Sequence, residues 1–485
     1  MGIVLKQSFL NTLILFLGFA IGGINMLFLY THFLHEDYFG LITFLLSTAN
    51  ILLPLLIFGM QHTIIKYYSS YKTKLEQDNF LITTLIFPLI VIIPTAFIGV
   101  FIYESISNWL SSENILIKNY TYLIFITAVF MGYFEIFYAW TKVQFKSVFG
   151  NFIKEIFARF CTTFLLIAVF FNWLTNEQFI YSVVVVYGLR AFIMKLYALY
   201  IYRPKLVFKL PSNFKELVSF SLYIIIAGSA AGILLEIDKF MIPQIEKIAE
   251  VAYYSVGIYI ASVVAIPTRA MQQITSPITA KDMNDNNINE VEKLYKQTSI
   301  NLLVIGGLLF LLINLNIVDL YEIINKPEFT KGIWIVFVIS IAKLMELALG
   351  TANAILVNSK YYKIIFYLSV AMAISVVFLN HWLINSIGII GAAIATLIVV
   401  VSYGIIKILY IKNKLNISPF KPATLKLLVI IALIFTAFSF WNFTLNIYVT
   451  IGFKSLLIGV IYLFLVKKMN ISADLNGLFS KIFKK

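Results

Sequence analysis

Apolar residues run through the chain in long blocks, separated by short polar or charged stretches. A helix needs about 20 apolar residues to cross the hydrocarbon core of a bilayer. By that measure the pattern predicts about fourteen spans. They cover 9–31, 39–62, 80–102, 120–140, 152–172, 178–202, 216–236, 251–272, 297–317, 333–357, 362–382, 387–411, 424–443 and 447–466. A tight turn is expected near 382–387, and the longest polar connection, 273–296, reads as a loop leading into a short amphipathic helix. The predicted fold is therefore an all-α polytopic membrane protein.

The order of features repeats. From Lys6 the chain passes through one apolar helix to HEDYFGLITF and then a second helix containing a proline. From Lys215 it does the same, reaching AEVAYYSVGIY and again a helix with a proline. Glu36 precedes Pro54 by 18 residues, and Glu250 precedes Pro267 by 17. A basic, polar stretch follows the second helix in both copies, IIKYYSSYKTKLEQDN in the first and DMNDNNINEVEKLYKQ in the second. The expected organisation is a six-helix bundle over 1–212, a second over 213–415, and two further helices with a basic tail over 416–485. Duplicated bundles in a membrane protein of this size point to a transporter with a central cavity between the halves. Pro54 and Pro267 are candidate hinges, or kinks that the surroundings tolerate.

Composition strengthens this reading. Of 485 residues, 61% are hydrophobic and 12% charged, half the charge that soluble domains carry. The net charge of +14 suggests nucleic acid until its distribution is considered. Lysines and arginines cluster in short connections, and with the N-terminus inside only Lys118, Lys239, Lys247, Lys326 and Lys331 fall in outer loops. Such asymmetry marks cytoplasmic loops and attraction to anionic lipid, with both termini cytoplasmic. The N-terminal apolar stretch lacks a small-x-small cleavage pattern and reads as a retained first span. The single cysteine, Cys161, has no partner for an internal disulfide.

Motifs for bond chemistry are missing. No G-x-x-x-x-G-K-[ST], H-E-x-x-H or G-x-S-x-G occurs, and His32, His35, His62 and His381 lack metal-ligand spacing. The expectation is no enzyme, no metal and no cofactor. Intramembrane charges remain, each expensive unless paired or facing a polar cavity. Arg190 lies 13 residues before Arg203, about 20 Å along a helix, and has no evident partner in its own helix. Arg269 follows Pro267 and precedes Gln272 and Gln273, which suggests a solvated wall. Lys343 and Glu346 share one helical face and form either a neutral packing pair or part of a cavity. Glu135 is a candidate for proton uptake or a helix anchor, and Asp238 ends the seventh span. Glu155 and Arg159, four apart, read as a structural pair. Gly18 with Gly22, and Gly228 with Gly232, permit close helix approach.

The stretch LHEDYFGLITFLLSTANILLPLLIFGMQHTIIKYYSSY resembles the opening of polysaccharide-biosynthesis membrane proteins, the O-antigen flippase (Wzx-like) group. LLEIDKFMI followed by EVAYYSVGIYIAS resembles that group's turn between the seventh and eighth spans, and KPEFTKGIWIV and NAILVNSKYYK fit its tenth-span region. The resemblance covers most of residues 1–410. Its superfamily (multidrug/oligosaccharidyl-lipid/polysaccharide exporters) also holds multidrug exporters and peptidoglycan-precursor flippases, described as two six-helix bundles around a central cavity with alternating access.

The resemblance implies flipping of an undecaprenyl-diphosphate-linked oligosaccharide across a bacterial cytoplasmic membrane for surface polysaccharide. Arg190, Arg269 and Lys343 are then the candidate substrate-binding cations, and Glu135, Glu346 and Asp238 the candidate coupling or ion-pair carboxylates. The expected partners are the lipid-linked glycan, the bilayer and other polysaccharide-assembly membrane proteins, with no nucleic acid. A cation-coupled multidrug or metabolite exporter of the same fold is the alternative, and should display mid-membrane carboxylates. A glycan polymerase or ligase is disfavoured by the short outer loops.

Overall fold

The computed structural model describes residues 3–206, 209–441, 446–472, 474, 476 and 477, without the side chains of 3–6, 8, 226–231, 269, 270 and 273. Among the described residues every regular element is a helix or helical turn. Hydrocarbon offers no partner for a backbone N–H or C=O, so a chain this apolar closes its hydrogen bonds within each segment. Eleven helices among the described residues are long and apolar enough to cross a membrane. The protein is a multi-pass helical membrane protein.

Contacts gather the helices into two compact units, Met1–Ala252 and Tyr253–Lys485. The first begins with α1 (Ile3–Ile24), which continues through a π turn at Asn25–Leu29 into α2 (Tyr30–Phe33). Then come α3 (Glu36–Leu56), α4 (Met60–Tyr67), α5 (Lys74–Leu110) and α6 (Thr121–Val143). A run of α7 (Ser147–Phe152), a π turn at Ile153–Phe157 and α8 (Ala158–Phe170) leads to α9 (Asn176–Ile201) and α10 (Phe214–Met241). Helix α11 (Ala249–Ser262) carries the chain into the second unit. There follow α12 (Ile266–Asn284), α13 (Ile288–Leu315), α14 (Ile317–Ile324), α15 (Ile333–Ala348) and α16 (Ala352–Val357). The chain ends with α17 (Lys363–Ile387), α18 (Ile389–Leu415), α19 (Pro422–Ser439) and α20 (Ile447–Lys468).

Local sequence explains several boundaries. Thr73–Glu76 and Thr175–Gln178 are capping boxes that satisfy the first free N–H groups of α5 and α9. Between α17 and α18 the turn falls on Gly388 at φ +67°, a left-handed conformation that glycine adopts without strain. The turn therefore lies just beyond the expected 382–387. The expected 333–357 span is likewise two pieces, because α15 stops at Ala348 and Gly350 takes φ +48° before α16 starts. The expected 273–296 loop is mostly helix: α12 runs on to Asn284 and α13 starts at Ile288.

The two prolines differ in setting. Pro54 is interior to α3, close to its end, and the break that follows is made by Phe58 and Gly59, both at positive φ. Pro267 instead occupies the first turn of α12, after a 3-10 turn at Val263–Ala265. There, in the first turn of α12, a missing N–H is tolerated, while the helical path from α11 continues through the 3-10 turn into α12.

In the first unit, α10 lies against α3 and α4. Near its start the Thr63 and Ser221 hydroxyls share a hydrogen bond of 2.7 Å, Tyr67 donates to Glu216 at 3.0 Å, and Tyr71 donates to Asn213 at 2.5 Å. Near its end the Asn114 side chain donates to the carbonyls of Pro243 (2.6 Å) and Glu246 (2.8 Å) and accepts from the Ile248 N–H at 2.8 Å. One amide thereby satisfies three backbone groups of the α10–α11 turn. Gly40 on α3 faces the same turn, and a Cβ there would meet the Ile248 carbonyl oxygen. In the second unit, α19 and α20 pack on α13, where the Tyr462 hydroxyl donates to the Val304 carbonyl at 2.8 Å. Large apolar side chains such as Phe97, Val100 and Phe101 on α5 stay exposed, as a surface solvated by lipid requires.

Asn114→Ala should loosen the α10–α11 turn, at a cost of about 1–3 kcal/mol for each backbone group left without a partner. The expected outcome is a lower melting temperature in detergent and faster proteolysis within 243–250. Unchanged behaviour on both counts would show that water replaces the amide at no cost.

Candidate functional site

Charged side chains of the first unit converge on the inner faces of α6 to α9. Glu135 on α6 accepts a hydrogen bond of 2.6 Å from Lys154. Lys154 sits in the π turn between α7 and α8, beside Glu155, which pairs with Arg159 at 3.0 Å. A π turn holds one residue more than an α turn, and such turns recur at functional sites. Gly18 lets α1 lie directly on this segment, since a Cβ there would stand 2.7 Å from both Arg159 Nη1 and the Glu155 carbonyl oxygen.

Arg190 on α9 completes the group. It is 8% exposed, and its guanidinium lies 3.9 Å from the centre of the Phe134 ring and 5.4 Å from that of Tyr187. The face of an aromatic ring attracts a cation, and more strongly where water is excluded. The Arg190 Nε is buried without a hydrogen-bond partner. Lys142, also on α6, extends over the Tyr138 ring at 3.8 Å, and His62 on α4 lies close enough to feel both Glu135 and Lys142. Four cations, Lys142, Lys154, Arg159 and Arg190, stand against two carboxylates, Glu135 and Glu155. The cluster retains a net positive charge and a guanidinium with unused donor capacity. Chemically, it can hold an anion through charge-assisted hydrogen bonds.

The second unit arranges its charges differently. Lys343 donates to both oxygens of Glu346, at 2.9 and 3.1 Å, within α15. Lys407 on α18 lies within the field of Glu346 and donates to the Asn353 side chain at 3.2 Å. These cations are engaged within the unit.

Of the residues singled out from sequence, Arg190 and Glu135 share the first-unit cluster, while Lys343 and Glu346 bond to one another in the second. Asp238 is buried near the end of α10, next to the Lys239–Glu236 pair of 2.9 Å. The Arg269 side chain lies outside the described residues; its backbone is in the first turns of α12. Gly232 has open space around it, and the side-chain surroundings of Gly228 lie outside the described residues. No group of three or more metal-ligating side chains is present among the described residues.

Lys142, Lys154 and His62 escaped sequence reasoning. Lys142 lies in the last turn of α6 and Lys154 belongs to the π turn. One signal was available: Glu135 and Lys142 are seven apart, two turns along one face of α6.

A family model described as "Polysaccharide biosynthesis protein" matches residues 4–280. The chain belongs to that family. The polysaccharide biosynthesis family model thus spans nearly all of the first unit and most of α12. No curated protein matches the sequence. Among solved structures, "Lipid II flippase MurJ, inward closed conformation" is similar over 98% of this chain and 100% of that one, at 15% identity and a TM-score of 0.72. An "inward-facing conformation of a multidrug resistance MATE family transporter of the MOP superfamily" matches over 84% of this chain and 94% of that one, at 12% identity and a TM-score of 0.59. A further MATE structure, "in complex with MaL6", matches over 85% and 96% at 13% identity and a TM-score of 0.55. The chain has the fold that these transporters share.

Lys154→Met should leave Glu135 facing the protein interior without its donor, a loss of about 1.5–3 kcal/mol for a hydrogen bond to a charged group. Adding Glu135→Gln should recover most of that loss. Melting of the purified single and double variants reads the coupling directly, and additive losses would mean that the pair contributes no stability.

Proposed function

We propose that this protein flips an undecaprenyl-diphosphate-linked oligosaccharide across the bacterial cytoplasmic membrane, by alternating access, for surface-polysaccharide synthesis. The observation that carries the reading is the surplus of positive charge in the first unit, centred on the buried Arg190 over Phe134 with an unpartnered Nε. Membership of the polysaccharide biosynthesis family and the flippase-type fold support it.

The physical task explains the chemistry. A glycan head group cannot pass through hydrocarbon bare, because each unsatisfied polar group costs several kcal/mol. A diphosphate carries the densest charge of such a lipid, and a planar guanidinium binds phosphate oxygens in pairs. The cluster supplies that donor in a site walled by aromatic rings, while the polyprenyl tail stays among lipid tails. Transport of this kind breaks and forms no covalent bond, so the protein acts as a carrier rather than as an enzyme.

An exporter of cationic drugs is less well supported. Glu135, Glu155 and Glu346 are each bonded to a lysine or an arginine, which leaves these carboxylates little capacity for a cationic cargo.

Deletion of the gene in its host should abolish surface polymer and trap undecaprenyl-linked oligosaccharide on the cytoplasmic side. Complementation with Arg190→Ala should restore about a tenth of the polymer or less, the effect of losing roughly 1.4 kcal/mol of binding. Arg190→Lys should restore an intermediate amount, since it keeps the charge and loses the fork. Unchanged surface glycan with raised drug sensitivity in the deletion strain would replace the flippase with the exporter.

A further inference from the structure

A cleft of about 280 Å³ in the second unit differs in kind from the cation cluster. Its polar wall is made by Gln272, Thr275 and Ser276 on α12 and by Thr351, Asn353 and Asn358 at the two ends of α16. No ionisable side chain lines it. Ala354 and Val357 complete it with a small apolar surface.

The hydrogen bonds within the wall determine what it offers. The Asn353 side-chain oxygen is taken by Lys407 at 3.2 Å, which leaves its NH2 group to donate. The Asn358 NH2 group donates to the Ala354 carbonyl at 2.8 Å, which leaves its oxygen to accept. Thr275 spends its proton on the Met271 carbonyl at 2.9 Å and keeps its lone pairs. Thr351 occupies the position before α16 without capping it, and its hydroxyl is buried with no partner at 4% residue exposure. A buried hydroxyl left unsatisfied is costly, so this one points to a group that the protein does not itself supply. The Gly350 turn, at φ +48°, is what sets Thr351 into the wall.

We propose that this cleft binds a sugar ring of the lipid-linked cargo, an inference that rests on the flippase reading above. Donors and acceptors both line it without charge, which suits hydroxyl groups, since each both donates and accepts. An anion would find no cation on this wall, and a cation no carboxylate. The volume is on the scale of one sugar ring. From the cleft, α12 runs to Asn284 and α16 leads to Lys360 and Lys363, stretches whose charge marks the cytoplasmic side. A head group arriving from the cytoplasm meets this wall early.

The test uses the full chain in nanodiscs and three probes: undecaprenyl diphosphate alone, and the same lipid carrying one hexose or one N-acetylhexosamine. Native mass spectrometry reads binding of each. The wild type should prefer a sugar-bearing lipid about tenfold, a margin of roughly 1.4 kcal/mol. Thr351→Val and the pair Asn353→Ala with Asn358→Ala should remove most of that margin without changing binding of the bare lipid, which also certifies that the variants fold. Thr351→Ser should retain it. Loss of bare-lipid binding alongside the sugar margin would mark misfolding, and Ser276→Ala, the milder change, then decides: a reduced margin supports the sugar site and an unchanged one refutes it. If the variants bind bare lipid normally and keep the margin, or if the wild type shows no margin, the sugar site is refuted while the flippase reading stands. If the wild type binds none of the three lipids, the flippase reading fails and the sugar site with it.

Discussion

Charge in hydrocarbon must be answered, and in this protein the answers differ by side chain. Lys154, Lys239 and Lys343 are matched by carboxylates at 2.6 to 2.9 Å. Arg190 is matched chiefly by an aromatic face. An ion pair cancels; a cation over a ring remains a cation, attracted by the ring's quadrupole yet still able to bind an anion. The placement of α6 against α9, and of the π turn against both, follows from holding that uncancelled charge without water.

The helices themselves follow from the same solvent. Where the outside is lipid, apolar side chains need no covering, so α5 leaves a broad apolar face exposed while small or polar residues govern its neighbours' close approaches. Asn114 illustrates the complementary demand. A turn that leaves three backbone groups open requires one side chain able to donate twice and accept once, and asparagine does so at short reach.

Length and apolarity made most helices legible in the sequence, because both are properties of a local stretch. The pairs Glu155–Arg159 and Lys343–Glu346 were legible for the same reason, being four and three apart on one helix. The interruption at Gly350 was not, since the apolar run continues across it and only the backbone angle changes. Nor was Glu135–Lys154, which depends on α6 meeting the π turn 19 residues later. The sequence pattern located Arg190 by depth but held nothing to indicate Phe134, which is 56 positions away.

The π turn at Ile153–Phe157 also bears on how such a site can change over time. A helix that gains one residue must either rotate everything downstream by about 100° or confine the excess to one widened turn. This chain confines it, so α7 and α8 each keep their own buried face while the surplus residue is absorbed between them. Lys154 and Glu155 stand at that point. Their spacing is therefore open to alteration by a single insertion or deletion that leaves the surrounding helices in register.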